Sequence, residues 1–258
     1  MKKHLYLWAL LWLSCMAFLY ARLSTSADAQ PQSTDFAADM QHIGNEKIFE
    51  VIILEQTKSP ALKKSDYTVK NFKLSQVKGL STKQINEHLS LYAGYVTKWN
   101  QIEDALQTVS RESISPTYCP FRALKVGETY AMNGTILHEL YFENLGHPGS
   151  APLAQTKKLL EKNFGSVANY LQDLKDCGMA ARGWVLTAYS LFDGSVRNYV
   201  LDSHNDHVPV MVIPLVVLDV YEHAYMIEFG IKRALYLNVF VDNINWSVIE
   251  NRVKKWAH

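Results

Sequence analysis

Charge of one sign is what this chain most lacks. Its 258 residues carry 26 basic and 25 acidic side chains, a formal net charge of +1. That balance argues against a dedicated nucleic-acid surface. Cysteine is also scarce: there are three, at Cys15, Cys119 and Cys177, with no CxxC spacing. A zinc-ribbon or thioredoxin-type site is therefore disfavoured. Long apolar runs are missing too. The longest, Leu5 to Tyr20, spans 16 residues, marginally short for a membrane span.

What is present is globular. Hydrophobic residues make up 48% of the chain, with ordinary glycine and proline content, enough for a real core in one or two domains. At the N-terminus, a basic start (Met1–His4), the apolar run and Ala27-Asp28-Ala29 form the pattern of a signal peptide over residues 1–29. Cleavage there removes Lys2, Lys3, Arg22 and Asp28, leaving 23 of the 26 basic and 24 of the 25 acidic residues. An uncleaved anchor and lipidation at Cys15 are the alternatives. Export, to a bacterial periplasm or the medium, implies no membrane association after cleavage and permits a Cys119–Cys177 disulfide. Two buried thiols are the other reading.

Residues 30–65 read as an extension, polar at first and then carrying the short strand-like run Lys47–Gln56. From Ser81 the period is helical, with Ser81 and Gln84 spaced as a capping box. Apolar residues follow at Ile85, Leu89, Tyr92, Tyr95, Val96 and Trp99. A second helix is predicted over about 133–144 and a third over about 154–177. "GWVLTAYS" and "SVRNYVLD", joined through Asp193-Gly194, predict a β-hairpin. "VMVIPLVVLDV" is almost continuously apolar and predicts a central strand. The last residues, from Arg233, are helical again. The expected fold is α+β: a helical hairpin domain over 66–153, then an α/β metal-binding domain over 154–258 with a three-stranded antiparallel sheet.

The third strand ends in an oddity. "PLVVLDVYEHAYMIEFG" sets Asp219, Glu222 and His223 at the end of an apolar run. Buried carboxylates are costly unless paired, hydrogen-bonded or bound to a metal. Asp219 and His223 sit at i, i+4, and His88 and His138 lie within helical apolar patterns. Three imidazoles and a carboxylate suit iron, manganese or zinc and poorly suit calcium. Taken singly, a histidine on an apolar helix face is more often a core residue than a ligand. The Asp219–His223 spacing alone fits a structural hydrogen-bonded pair equally well.

"LDVYEHAY", "LHELYFENL", "GYVTKWN" and "NINW" together resemble the iron/manganese superoxide dismutase family, in order from about Asp66 to Trp256. The resemblance implies one Mn or Fe ion per subunit, superoxide as substrate and a homodimer. It implies His88, His138, Asp219 and His223 as ligands, Tyr95 as a gate and proton donor, and Glu222 and Tyr225 at the dimer interface. The family spacing falls on Glu87, one residue before His88; His88 and Tyr95, seven apart, share a helix face, and loss of a π-bulge produces such a shift. The family's outer glutamine is missing. Gly134 stands at its iron-type position, and His204-Asn205-Asp206 at its manganese-type position, so His204 or Asn205 is the expected substitute. Tyr221 and Phe142 stand where tryptophans are usual. Two other readings stay open: a mononuclear iron oxygenase with a two-histidine, one-carboxylate triad that leaves His88 free, and a dimeric binding or structural module with this fold and no redox activity.

Overall fold

The computed structural model describes residues 66–256. The predicted signal peptide and the extension over residues 30–65 lie outside them. Helix α1 (Thr82–Thr108) begins as expected, with the Ser81 hydroxyl accepting from the Gln84 N–H. The other half of the capping box does not form, because the Gln84 side chain is used elsewhere. Helix α2 (Pro120–Glu143) starts some thirteen residues earlier than predicted. Gly127 and Gly134 dilute its helical signal, and its start is marked by Cys119 as N-cap followed by Pro120. Cys119 and Cys177 are both free, so no disulfide joins them.

The third predicted helix is two, α3 (Ala154–Phe164) and α4 (Val167–Ala180). Gly165, at φ 79°, ends one, and the Ser166 hydroxyl caps the next. The hairpin forms as predicted: β1 (Trp184–Ser190) pairs antiparallel with β2 (Val196–Leu201). Strand β3 (Val212–Asp219) also pairs antiparallel with β1, giving the order β2-β1-β3. β1 is therefore the central strand and β3 an edge, contrary to the sequence expectation. β3 is apolar because helices bury it, and its Pro214 is tolerable at an edge. A 3₁₀ turn (Glu222–Ala224), the short α5 (Met226–Phe229), α6 (Arg233–Asp242) and α7 (Trp246–Trp256) complete the chain.

α1 and α2 form the antiparallel hairpin. α2 also packs on β3, α4 covers β1 and β2, and α7 lies along β3. One core cluster runs through both halves, from Tyr92 and Tyr141 to Trp184, Leu218 and Phe240.

The edge of β3 is closed by side chains rather than by another strand. The Asn144 amide donates to the Val217 carbonyl (2.6 Å), and the Arg252 guanidinium donates to that of Leu215 (2.7 Å). Arg252 also reaches Asn144 Oδ1 and Glu143 Oε2, tying α2, β3 and α7 together. Asn243, of the "NINW" motif, exchanges hydrogen bonds with the backbone N–H and C=O of Lys78, which leads into α1. An open edge invites strand addition, and a removed buried partner leaves stranded polar groups. Arg252→Met should therefore cost about 3 kcal/mol in chemical denaturation and raise aggregation on heating, measured by light scattering.

Candidate metal centre

Four side chains from four elements converge where the hairpin meets the end of β3. His88 comes from the second turn of α1, His138 from the last turns of α2, Asp219 from the end of β3 and His223 from the 3₁₀ turn. Their ligand atoms all lie within 4.8 Å of one another. Asp219 Oδ2 is 3.1 Å from His88 Nε2, 3.1 Å from His223 Nε2 and 3.6 Å from His138 Nε2. Donors sharing one first-row ion, with bonds of about 2.0–2.2 Å, are separated by such distances. α1 is α-helical throughout, so the one-residue offset brings His88 inward, while Glu87 is exposed.

His138 is the informative member. Its Nδ1 is 2.6 Å from the Gly134 carbonyl, which can only accept, so Nδ1 carries the proton. Nε2 is then a bare lone pair. It is buried, has no hydrogen-bond partner, and faces a carboxylate oxygen. Two acceptors face to face in a dry pocket require a cation between them. The residues present fit a first-row metal ion such as iron, manganese or zinc.

The electrostatics agree. Burial, then the neighbouring His88, push the His138 imidazole down to about 3. Burial likewise lowers His88. Both are neutral, ligand-ready bases at neutral pH. For His223 burial pulls down, but the Asp219 charge prevails and raises it. Burial alone would raise the Asp219 carboxyl; His223 and His88 instead hold it well below the usual carboxylate range. Asp219 is further fixed by the Tyr221 N–H on Oδ1 (2.9 Å) and the Tyr236 hydroxyl on its backbone carbonyl (2.6 Å).

A dry aromatic wall surrounds the cluster. Tyr95 stacks on His138 at 5.3 Å, Tyr221 on His223 at 5.3 Å, and Trp184 meets His138 edge-on at 4.9 Å. Phe142 contacts His88 at 4.9 Å, so aromatics replace the family's tryptophans without opening the site.

The sequence left His204 and Asn205 as rival donors, and the structure separates them. His204 is fully buried, with its ring 4.8 Å from Tyr95 and 6.0 Å from His138. The Trp184 indole N–H donates to His204 Nδ1 (2.9 Å), so Nε2 carries the hydrogen, and that atom has no partner. Burial lowers His204 to about 4; it is a neutral donor whose Nε2–H is unused. Asn205 instead lies against α2, donating to Thr129 Oγ1 and accepting from Asn133. It does not join the cluster. Gly134 cannot carry a substitute, because a Cβ there would stand 2.8 Å from the Tyr95 ring.

Sequence reasoning missed two residues. Gln84, read as a cap, is buried; its amide donates to the His223 carbonyl and accepts from the Ile227 N–H, pinning the ligand-bearing turn to α1. Asn133 donates to the His204 carbonyl (2.9 Å), holding that loop on α2. Of the expected interface residues, Glu222 is exposed. Tyr225 is used inside its own chain: it is 4% exposed, stacked on Tyr236, with its hydroxyl accepting from Arg233. It offers a partner almost no surface.

The comparisons with known proteins bear on this geometry. A family model for the C-terminal domain of iron/manganese superoxide dismutases matches residues 152–252. The chain is 37% identical over 190 residues to the iron superoxide dismutase of Aquifex pyrophilus, covering 72% of this chain and 89% of that one. The chain belongs to the iron/manganese superoxide dismutase family. It is also 36% identical over 176 residues to the iron superoxide dismutase of Cupriavidus metallidurans, covering 67% of this chain and 87% of that one. To a manganese superoxide dismutase of Halobacterium salinarum it is 26% identical over 171 residues, covering 66% of this chain and 84% of that one. Relatives named for either metal thus match, and the α+β fold, with helices before the three-stranded sheet, is that of the family.

Below about pH 6.5 the unfolded chain takes up protons on His138, His88 and His204 that the metal-free folded protein refuses, while His223 has the opposite sign. With three lowered bases against one raised, stability is present above pH 6.5 and lost on acidification. The melting temperature of metal-free protein should fall steadily from pH 7 to pH 5, and His138→Gln should flatten that slope.

Proposed function

We propose that the protein dismutates superoxide, with His88, His138, His223 and Asp219 holding one iron or manganese ion. The observation that carries this reading is the His138 lone pair, buried and unpartnered against Asp219 Oδ2. When bound, such an ion supplies a one-electron acceptor and donor, so that one superoxide leaves as O₂ and the next, with that electron and two protons, leaves as H₂O₂.

The chain's own residues do the rest. Asp219 offsets the ion's charge, and its lowered proton affinity keeps it ionised. His204 offers a hydrogen from Nε2 toward the cluster, the part a glutamine amide takes in relatives of the usual pattern. Its orientation is fixed by Trp184. Tyr95, with its hydroxyl pushed well up by burial and Tyr130, stays protonated and is a proton donor. The aromatic wall helps to keep His88, His138 and Asp219 covered from solvent. His88 lies within the cluster and leaves no vacant fourth position of the kind the oxygenase reading needs.

A division at residue 153 is supported by the hairpin helix α2 ending at Glu143 and the next helix beginning at Ala154. A homodimer is supported by the face around Glu222. His223 is 29% exposed there, although the other ligands are covered, and exposed Met226, Ile227, Ile231 and Leu235 lie beside it in sequence. Export rests on the N-terminal pattern of residues 1–29, and N-terminal sequencing of the mature protein tests it.

Purified protein should contain close to one Fe or Mn per chain and consume superoxide at a rate that scales with metal content. Metal-free protein after metal-replete expression would overturn the reading, and so would full activity in His138→Ala. His204→Ala should keep its metal and lose about 10–100-fold in turnover, measured by pulse radiolysis beside elemental analysis.

A further inference from the structure

One exposed tyrosine beside the cluster has no role in the chemistry so far. Tyr130 lies on α2 one turn before Gly134 and two before His138, so the three share a face. Its ring centroid is 4.6 Å from that of His204 and 6.2 Å from that of Tyr95. Its side chain lies close enough to those of Tyr95 and Tyr221 to help raise the proton affinity of both. Tyr130 is 39% exposed, while Tyr95 and Tyr221 are partly covered and His204 is sealed. The phenols therefore form a series graded from solvent to the metal cluster, with Tyr130 outermost and Tyr95 stacked on a ligand.

We propose that Tyr130 is the outer relay residue of the dismutase reaction, passing protons from solvent to Tyr95 and holding the Tyr95 hydroxyl in place. The inference rests on the function proposed above. Reduction of one superoxide to H₂O₂ consumes one electron, from the bound ion, and two protons, ultimately from solvent. A proton leaving the Tyr95 oxygen for the reduced product is replaced by the Tyr130 hydroxyl proton, and Tyr130 takes one from water. Both phenols end as they began. A neutral hydroxyl chain suits this better than a carboxylate, which would repel an anionic substrate at the mouth.

Tyr130 acts through Tyr95, so it is a positioning and relay residue rather than a catalytic one. Tyr130→Phe keeps the ring and removes only the hydroxyl. With metal content and melting temperature unchanged, kcat should fall by about 10-fold, less than the roughly 100-fold or more that a proton donor in direct contact with substrate contributes, and kcat/KM should fall less. Small protonated buffers such as imidazolium should restore kcat in the variant and leave the wild type unaffected. Independently of turnover, NMR of the zinc-loaded, diamagnetic protein should show the Tyr95 hydroxyl proton exchanging with solvent several-fold more slowly in the variant. A kcat within twofold of wild type together with unchanged exchange would overturn the inference. A loss that follows reduced metal content and resists buffer rescue would overturn it as well, making Tyr130 a wall of the site. An inactive wild type sinks the dismutase reading instead, and the exchange measurement then judges the hydroxyl chain alone.

Discussion

Asp219 Oδ2 is the atom on which the rest of the structure depends. It has no exposed surface, and three imidazole nitrogens stand within 3.6 Å of it. In a dry interior that arrangement is stable only if positive charge is shared among the donors, either as protons on histidines or as a metal ion. The protons are disfavoured at His88 and His138, whose burial opposes ionisation. The local fold therefore works as a cage shaped for a cation. Much of the architecture serves to hold it: Tyr236 on the Asp219 carbonyl, Tyr221 on its other oxygen, Gln84 on the turn that carries His223.

The secure part of this was legible in the sequence because it is local. Asp219 and His223 are four residues apart, and the apolar run before them forces the carboxylate inward. The β-hairpin was equally local, with turn residues at Asp193-Gly194 between two short strand-like runs. His88 required more, because the offset from Tyr95 could be judged only once α1 was known to run without a bulge.

What was illegible depended on partners distant in sequence. Strand β3 looks central by composition, yet its outer edge is closed by Asn144 and Arg252, side chains that no periodicity in β3 announces. The early start of α2 was hidden by its glycines, of which Gly134 exists to admit the Tyr95 ring from the other helix. The contacts of Tyr225 within its own chain were hidden for a similar reason. The motif sets it beside Glu222, but the side chain turns back onto Tyr236 and Arg233.

The choice between His204 and Asn205 was likewise beyond sequence, and its resolution has a consequence. A glutamine amide is a flexible donor whose reach depends on its own rotamers. His204 has one ring, locked by Trp184 at Nδ1, and its backbone is held by Asn133. Asn133 sits between Tyr130 and His138 on α2, with Gly134 next to it. The ligand His138, the anchor of the outer donor and the space for Tyr95 are thus all set by one helix. A donor fixed this rigidly relative to a ligand leaves little room for the hydrogen bond to lengthen as the charge at the centre changes. The potential of the site should then be governed by the position of α2 against the sheet more than by any side-chain motion, and substitutions in its packing far from the cluster become the ones that retune it.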